Sequence, residues 1–156
     1  MGVISKRTEL QRMMVVSNAF VDITNFKNES VLRYSPELLI AATVNSAFSI
    51  EVALKFLYYD HYDKKIKNEH SIKKLYEEVK EYGLEAYLLN DFTKEELERI
   101  LEQIDYAFVN FRYIYEYQDT LKITPSLLKD FTLFINCYCN NYYEKNIMVN
   151  KKDYSH

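Results

Sequence analysis

The sequence predicts an all-α protein: an antiparallel helical bundle of about five helices in a single domain, residues 1–156. Three observations predict it. Only 2 Gly and 2 Pro interrupt the 156 residues, whereas a sandwich or barrel needs a turn signal about every ten residues. Apolar residues recur at spacings of three and four, the period of a helix face. Apolar content of 48% beside 28% charged residues suits a folded chain, and a chain of this length buries roughly 70% of its unfolded surface.

The first helix is expected over about residues 8–26, with Leu10, Met13, Val16, Phe20 and Ile23 as its inward stripe. Ser35-Pro36-Glu37 then opens a second helix: a capping hydroxyl, proline at the first helical position and an acid near the positive helix end. That helix, roughly 36–60, is apolar nearly all round, which marks a central element touched on several sides. Ile40, Val44, Ala47, Glu51, Leu54 and Tyr58 share one face, so Glu51 lies on an apolar stripe, where an unpaired carboxylate is costly.

After a lysine-rich loop, a shorter helix starts near His70 and stops at Gly83, a residue suited to the left-handed conformation of a helix end. Thr93 and Glu96 form a capping box for the fourth helix. From there no Gly or Pro intervenes until Pro125. Leu97, Leu101, Ile104, Phe108, Phe111 and Tyr115 repeat at four-three spacing straight through the near-alternating stretch VNFRYIYEY, residues 109–117. The alternation is therefore read as aromatic packing around a long helix, since a lone strand would have no partner. Thr124-Pro125 starts the last helix, with Leu128, Phe131, Phe134 or Ile135, Tyr138 and Tyr142 facing inward. The core is expected over about 8–145, with 146–156 a frayed tail.

The net charge of −3 is unevenly spread. Residues 63–74 carry Lys64, Lys65, Lys67, Lys73 and Lys74 against Asp63 and Glu69. Residues 75–105 carry ten acids against Lys80, Lys94 and Arg99, the pattern of a solvated helical face. The lysines are the candidate phosphate contacts, and Tyr113 and Tyr117 the candidate base-stacking rings, of an RNA-binding surface. Cys137 and Cys139, two apart, fall on different helix faces and read as packed free thiols, consistent with a reducing cytosol. No apolar signal core and no uninterrupted apolar run of about 18 residues is present, so a cytoplasmic protein without a membrane partner is expected. No Gly-rich phosphate loop, metal-cage spacing or nucleophile elbow occurs, so neither a cofactor nor a metal is expected.

Arg112 sits among aromatic side chains and needs a partner. It can pair along its own helix with Glu116, or cross the bundle to Glu51, each neutralising the other.

The stretches NSAFSIEVALKFLYYD and AFVNFRYIYE, with His70 and Leu75 between them, resemble prokaryotic HEPN domains over about residues 36–118. The resemblance implies a helical bundle that pairs as a homodimer. It also implies a metal-independent RNA endonuclease of the toxin–antitoxin, abortive-infection or CRISPR type, whose signature is an arginine followed on the same helix by a histidine. Arg112 matches the arginine, but the histidine positions hold Tyr117, Gln118 and Asp119, none of which shuttles a proton near neutral pH as imidazole does. His70 matches a histidine found at the start of the third helix in relatives. Arg112 and His70 are thus the candidate catalytic residues, while His61, in the loop, and His156 are read as incidental. The expectation is a HEPN-like defence or toxin-system protein acting on or near RNA, short of its full catalytic set. The alternative is a non-enzymatic module, an antitoxin or an inhibitor of a host or phage factor, binding a protein partner through its acidic helical face.

Overall fold

The computed structural model describes residues 4–24, 36–109 and 125–148, with the side chains of all but 36, 37, 106–109 and 125. Helix α1 spans Lys6–Thr24, α2 Pro36–Tyr62, α3 Ile72–Val79, α4 Lys94–Val109 and α5 Pro125–Tyr143. A wider turn, Lys80–Leu84, and a single helical turn, Glu85–Leu88, link α3 to α4, and Glu144–Met148 extends α5. No strand occurs among the described residues.

Helix α2 is the axle, in contact with α1, α3, α4 and α5. Its segment Leu38–Tyr62 is long and apolar enough to cross a membrane by length and composition, but half of its most apolar window is buried inside the bundle. Ala47, Ile50, Ala53, Leu54, Phe56 and Leu57 are all buried, which is why the helix is apolar nearly all round.

Residue pairs give the directions. Lys6 meets Asp60 and Ser17 meets Ser49, so α1 runs antiparallel to α2. Ile72 meets Asp105 and Lys73 meets Glu102, so α4 runs antiparallel to α3. Cys139 meets Ala53 and Tyr142 meets Asp60, so α5 runs with α2. The long helices therefore alternate, as in an up-and-down bundle. Short α3 is the exception. His70, just before it, touches Glu51, and Glu78, near its end, touches Tyr62. Hence α3 runs parallel to α2, and residues 63–71 double back along α2 to reach its start.

The inward face of α1 is not the stripe expected from the sequence. Leu10, Met14, Ser17 and Thr24 are buried, while Val16 and Ile23 are exposed and Met13 and Phe20 only half-buried. The cause is polar. Ser17 Oγ donates to the Ser49 carbonyl at 3.0 Å and Ser49 Oγ to the Ser17 carbonyl at 2.9 Å. Asn136 and Asn140 of α5 extend this layer by donating to Asn18 Oδ1 at 2.7 and 3.0 Å. Satisfying these buried groups rotates the helix about its axis.

The capping box forms in both directions: the Glu96 amide donates to Thr93 Oγ1 at 3.1 Å and the Thr93 amide to Glu96 Oε2 at 2.9 Å. Gly83 has φ of 96°, the left-handed value expected there, although the chain continues into a further helical turn instead of leaving the bundle. In α5, Leu128, Phe131, Ile135 and Cys139 are buried, with Tyr138 and Tyr142 half-buried beside them. Residues 146–148 of the expected frayed tail belong instead to the helical extension, with Ile147 buried, and 149–156 lie outside the described residues. The expected course of α4 from 110 to its end lies outside the described residues.

Candidate functional site

Among the described residues, a charged cluster is built where α2, the end of the 63–71 loop and α4 meet. Glu51 is buried, as its apolar stripe requires, with its side chain 8% exposed. Its Oε1 accepts from Lys55 Nζ at 2.6 Å, one helical turn on, and from His70 Nδ1 at 3.0 Å. Two donors on one oxygen compensate the desolvation of the carboxylate.

The position of His70 follows from the start of α3. Ser71 is the N-cap, its Oγ accepting from the Lys74 amide. Asp105 of α4 reaches across to take the Ile72 amide at 2.8 Å on one carboxylate oxygen and Ser71 Oγ at 3.0 Å on the other. An acid at a helix N-terminus satisfies free amides and opposes the positive dipole end. This clamp pins residue 71, and with it the imidazole of residue 70. Because a carboxylate can only accept, Nδ1 carries the hydrogen of this contact, and in the neutral ring Nε2 holds the lone pair. The His70 side chain remains 63% exposed. A solvent-facing imidazole oriented from behind by a buried carboxylate can take and return a proton at Nε2.

Of the residues singled out in the sequence, Glu51 and His70 are thus brought together. Arg112, Tyr113, Glu116 and Tyr117 lie outside the described residues. Lys55 was not singled out, although Glu and Lys four apart on a helix are a recognisable signal. The contact with His70 had no local signal, because it depends on the loop doubling back.

All five candidate lysines are exposed. Lys65 is tied to Glu9 at 2.5 Å and lies 5.8 Å from the Tyr59 ring centre, and Lys73 is paired with Glu102 at 3.3 Å. Lys67, Lys73 and Lys74 border a groove of about 540 Å³ between residues 66–69 and α3. The acidic block is largely the solvated side of the bundle, with Glu77, Glu78, Glu95, Glu98 and Glu102 exposed.

His61 is not a loop residue but part of the last turn of α2. Its ring stacks on Tyr82 at 3.9 Å between centres and lies 5.6 Å from Tyr142, whose hydroxyl donates to Asp60. Burial pushes its pKa below the usual histidine value. Its Nε2 is buried without a partner among the described residues, which suits a neutral ring in a packing role. Cys139 is buried, its thiol pushed up by desolvation, while Cys137 is exposed, the two-face arrangement their spacing implied. No three His, Cys, Asp or Glu side chains converge as metal ligands among the described residues.

The family model described as the HEPN domain matches residues 26–142. No curated protein and no solved structure matches the chain.

Proposed function

The chain belongs to the HEPN family, whose model covers more than half of it, and on that premise we propose that it is a cytoplasmic RNA-directed protein of a defence or toxin type system, with His70 as its proton-handling group. The observation that carries this reading is the buried Glu51 carboxylate holding Nδ1 of an otherwise exposed imidazole at 3.0 Å. The histidine that the family signature pairs with the arginine is then replaced from the start of α3. Lys67 and Lys74, which line the same groove as Glu69, supply positive charge near it for the phosphate backbone.

In the proposed step, His70 Nε2 accepts the proton of an RNA 2′-hydroxyl as that oxygen attacks the adjacent phosphorus. The P–O5′ bond breaks, leaving a 2′,3′-cyclic phosphate and a 5′-hydroxyl that takes its proton from water. The imidazolium returns its proton to solvent. Arg112, the family-matching arginine, is assigned to the charge developing on the phosphate oxygens. The reaction is slow, because one imidazole serves where paired acid and base groups are more effective. Cleavage of a mixed RNA pool with a chelator present, by wild type and by His70→Ala, tests it.

The family's homodimer belongs to the same proposal. Val15, Val16 and Ile23 expose 60%, 43% and 66% of their surface on the outward side of α1. Exposed aliphatic side chains spread along the outward side of a helix favour association. The same face would serve the rival reading, a non-enzymatic module that binds another protein, better than the acidic side does.

A further inference from the structure

We propose that the groove between residues 66–69 and α3 is a base-binding subsite next to His70, which takes RNA bases carrying an amino group and disfavours uracil. This inference rests on the reading of His70 as RNA-facing. The groove's volume, about 540 Å³, lies in the range that encloses a small ligand. Tyr58, Ile66 and Leu75 give it an apolar floor. Tyr58 is held by its contact with Tyr62, ring centres 4.4 Å apart, and so offers a fixed flat surface for a base.

The rim carries both signs of charge, and this selects the ligand. Lys73 is engaged by Glu102, whereas Lys67 and Lys74 form no ion pair among the described residues. Glu69 accepts the Ser71 amide at 2.9 Å on one oxygen, which orients its carboxylate on the groove wall. A bare anion would be repelled by that carboxylate, and an apolar ligand would leave the lysines without partners. A nucleotide meets both needs: its phosphate takes the lysines, and an amino group on its base donates to Glu69. Adenine, cytosine and guanine carry such a group, whereas uracil has none: its one base-edge donor, N3–H, is flanked by O2 and O4, acceptors that the carboxylate repels.

The subsite and the proton-handling group are in register. Tyr58 follows Glu51 by seven residues on α2, a rise of about 10 Å. Glu69 immediately precedes His70 in the chain. A base seated on Tyr58 therefore places a neighbouring phosphodiester beside His70.

The test is titration of the full chain with AMP, CMP, GMP, UMP and inorganic phosphate, followed by backbone amide NMR shifts. The three amino-bearing nucleotides should shift Ile66, Glu69 and Leu75, each binding about fivefold or more tighter than UMP. Glu69→Gln, whose amide can donate to O4, should erase that preference. Equal binding of UMP, the same shifts from phosphate alone, or no shifts in the groove would each overturn the inference. Groove binding without RNA cleavage would leave the inference standing and remove His70's catalytic role. Cleavage that needs His70 without groove shifts would do the reverse.

Discussion

Glu51 and His70 are 19 positions apart in the chain, yet the imidazole Nδ1 lies 3.0 Å from a carboxylate oxygen that the bundle core has buried. Lys55 shares that oxygen, so the pair is unequal: Glu51 is buried and held by two donors, whereas most of the His70 side chain is exposed. Removal of the two residues should therefore have different consequences.

Glu51→Gln should lower stability by about 1–3 kcal/mol, the range for losing hydrogen bonds to a charged acceptor in a buried site. His70→Ala should cost about 1 kcal/mol or less, because Lys55 still compensates the carboxylate. Urea unfolding of the two variants checks this. A His70→Ala loss as large as that of Glu51→Gln would make His70 a structural residue.

Gly83→Ala should destabilise by about 1–3 kcal/mol. Its φ of 96° strains any side chain, and a Cβ would sit 2.9 Å from Tyr138 Oη, which donates to the Tyr82 carbonyl at 2.8 Å. Adding Tyr138→Phe should recover the steric part of the loss and leave the backbone part, as read by thermal unfolding of the single and double variants.

His61 should make stability pH-dependent on the acid side. Burial holds its folded pKa below the ordinary 6.5, with Asp60 opposing that shift and Lys6 adding to it; Tyr82 and Tyr142 are the rings against it. Between the lowered folded value and about 6.5 the unfolded chain binds more protons, so the stabilisation is complete above that window and lost as pH falls through it. His61→Phe, which keeps a ring against Tyr82, should flatten this part of the melting-temperature profile. An unchanged acid slope would contradict the assignment.

Much of this arrangement was legible in the sequence where local chemistry decides it. The Thr93–Glu96 box, the left-handed Gly83 and the buried Glu51 each follow from residue type and spacing alone. The inward face of α1 was misread because apolar periodicity cannot register that Ser17 and Ser49 satisfy each other across a close helix pair. The Glu51–His70 contact was illegible for a different reason. It exists because residues 63–71 run back along α2, a path set by the clamp of Asp105 on Ser71 and Ile72, three elements that only meet in the fold.

The exposed aliphatic face of α1 should make the chain a dimer, and Ile23→Asp should weaken it. Light scattering should return about twice the monomer mass of 18.7 kDa for wild type. A monomer across a wide concentration range would refute the dimer, and a dimer untouched by Ile23→Asp would move its interface elsewhere.

The central claim is that His70, oriented by Glu51, handles the proton in metal-independent RNA cleavage. The most direct measurement is the cleavage rate of a mixed RNA pool by wild type, His70→Ala and Arg112→Ala, with a chelator present and the product ends analysed. Slow cleavage that leaves 2′,3′-cyclic phosphates, and falls about 100-fold or more without the imidazole, is the predicted result. No cleavage by wild type, or a His70→Ala rate equal to it, would contradict the account.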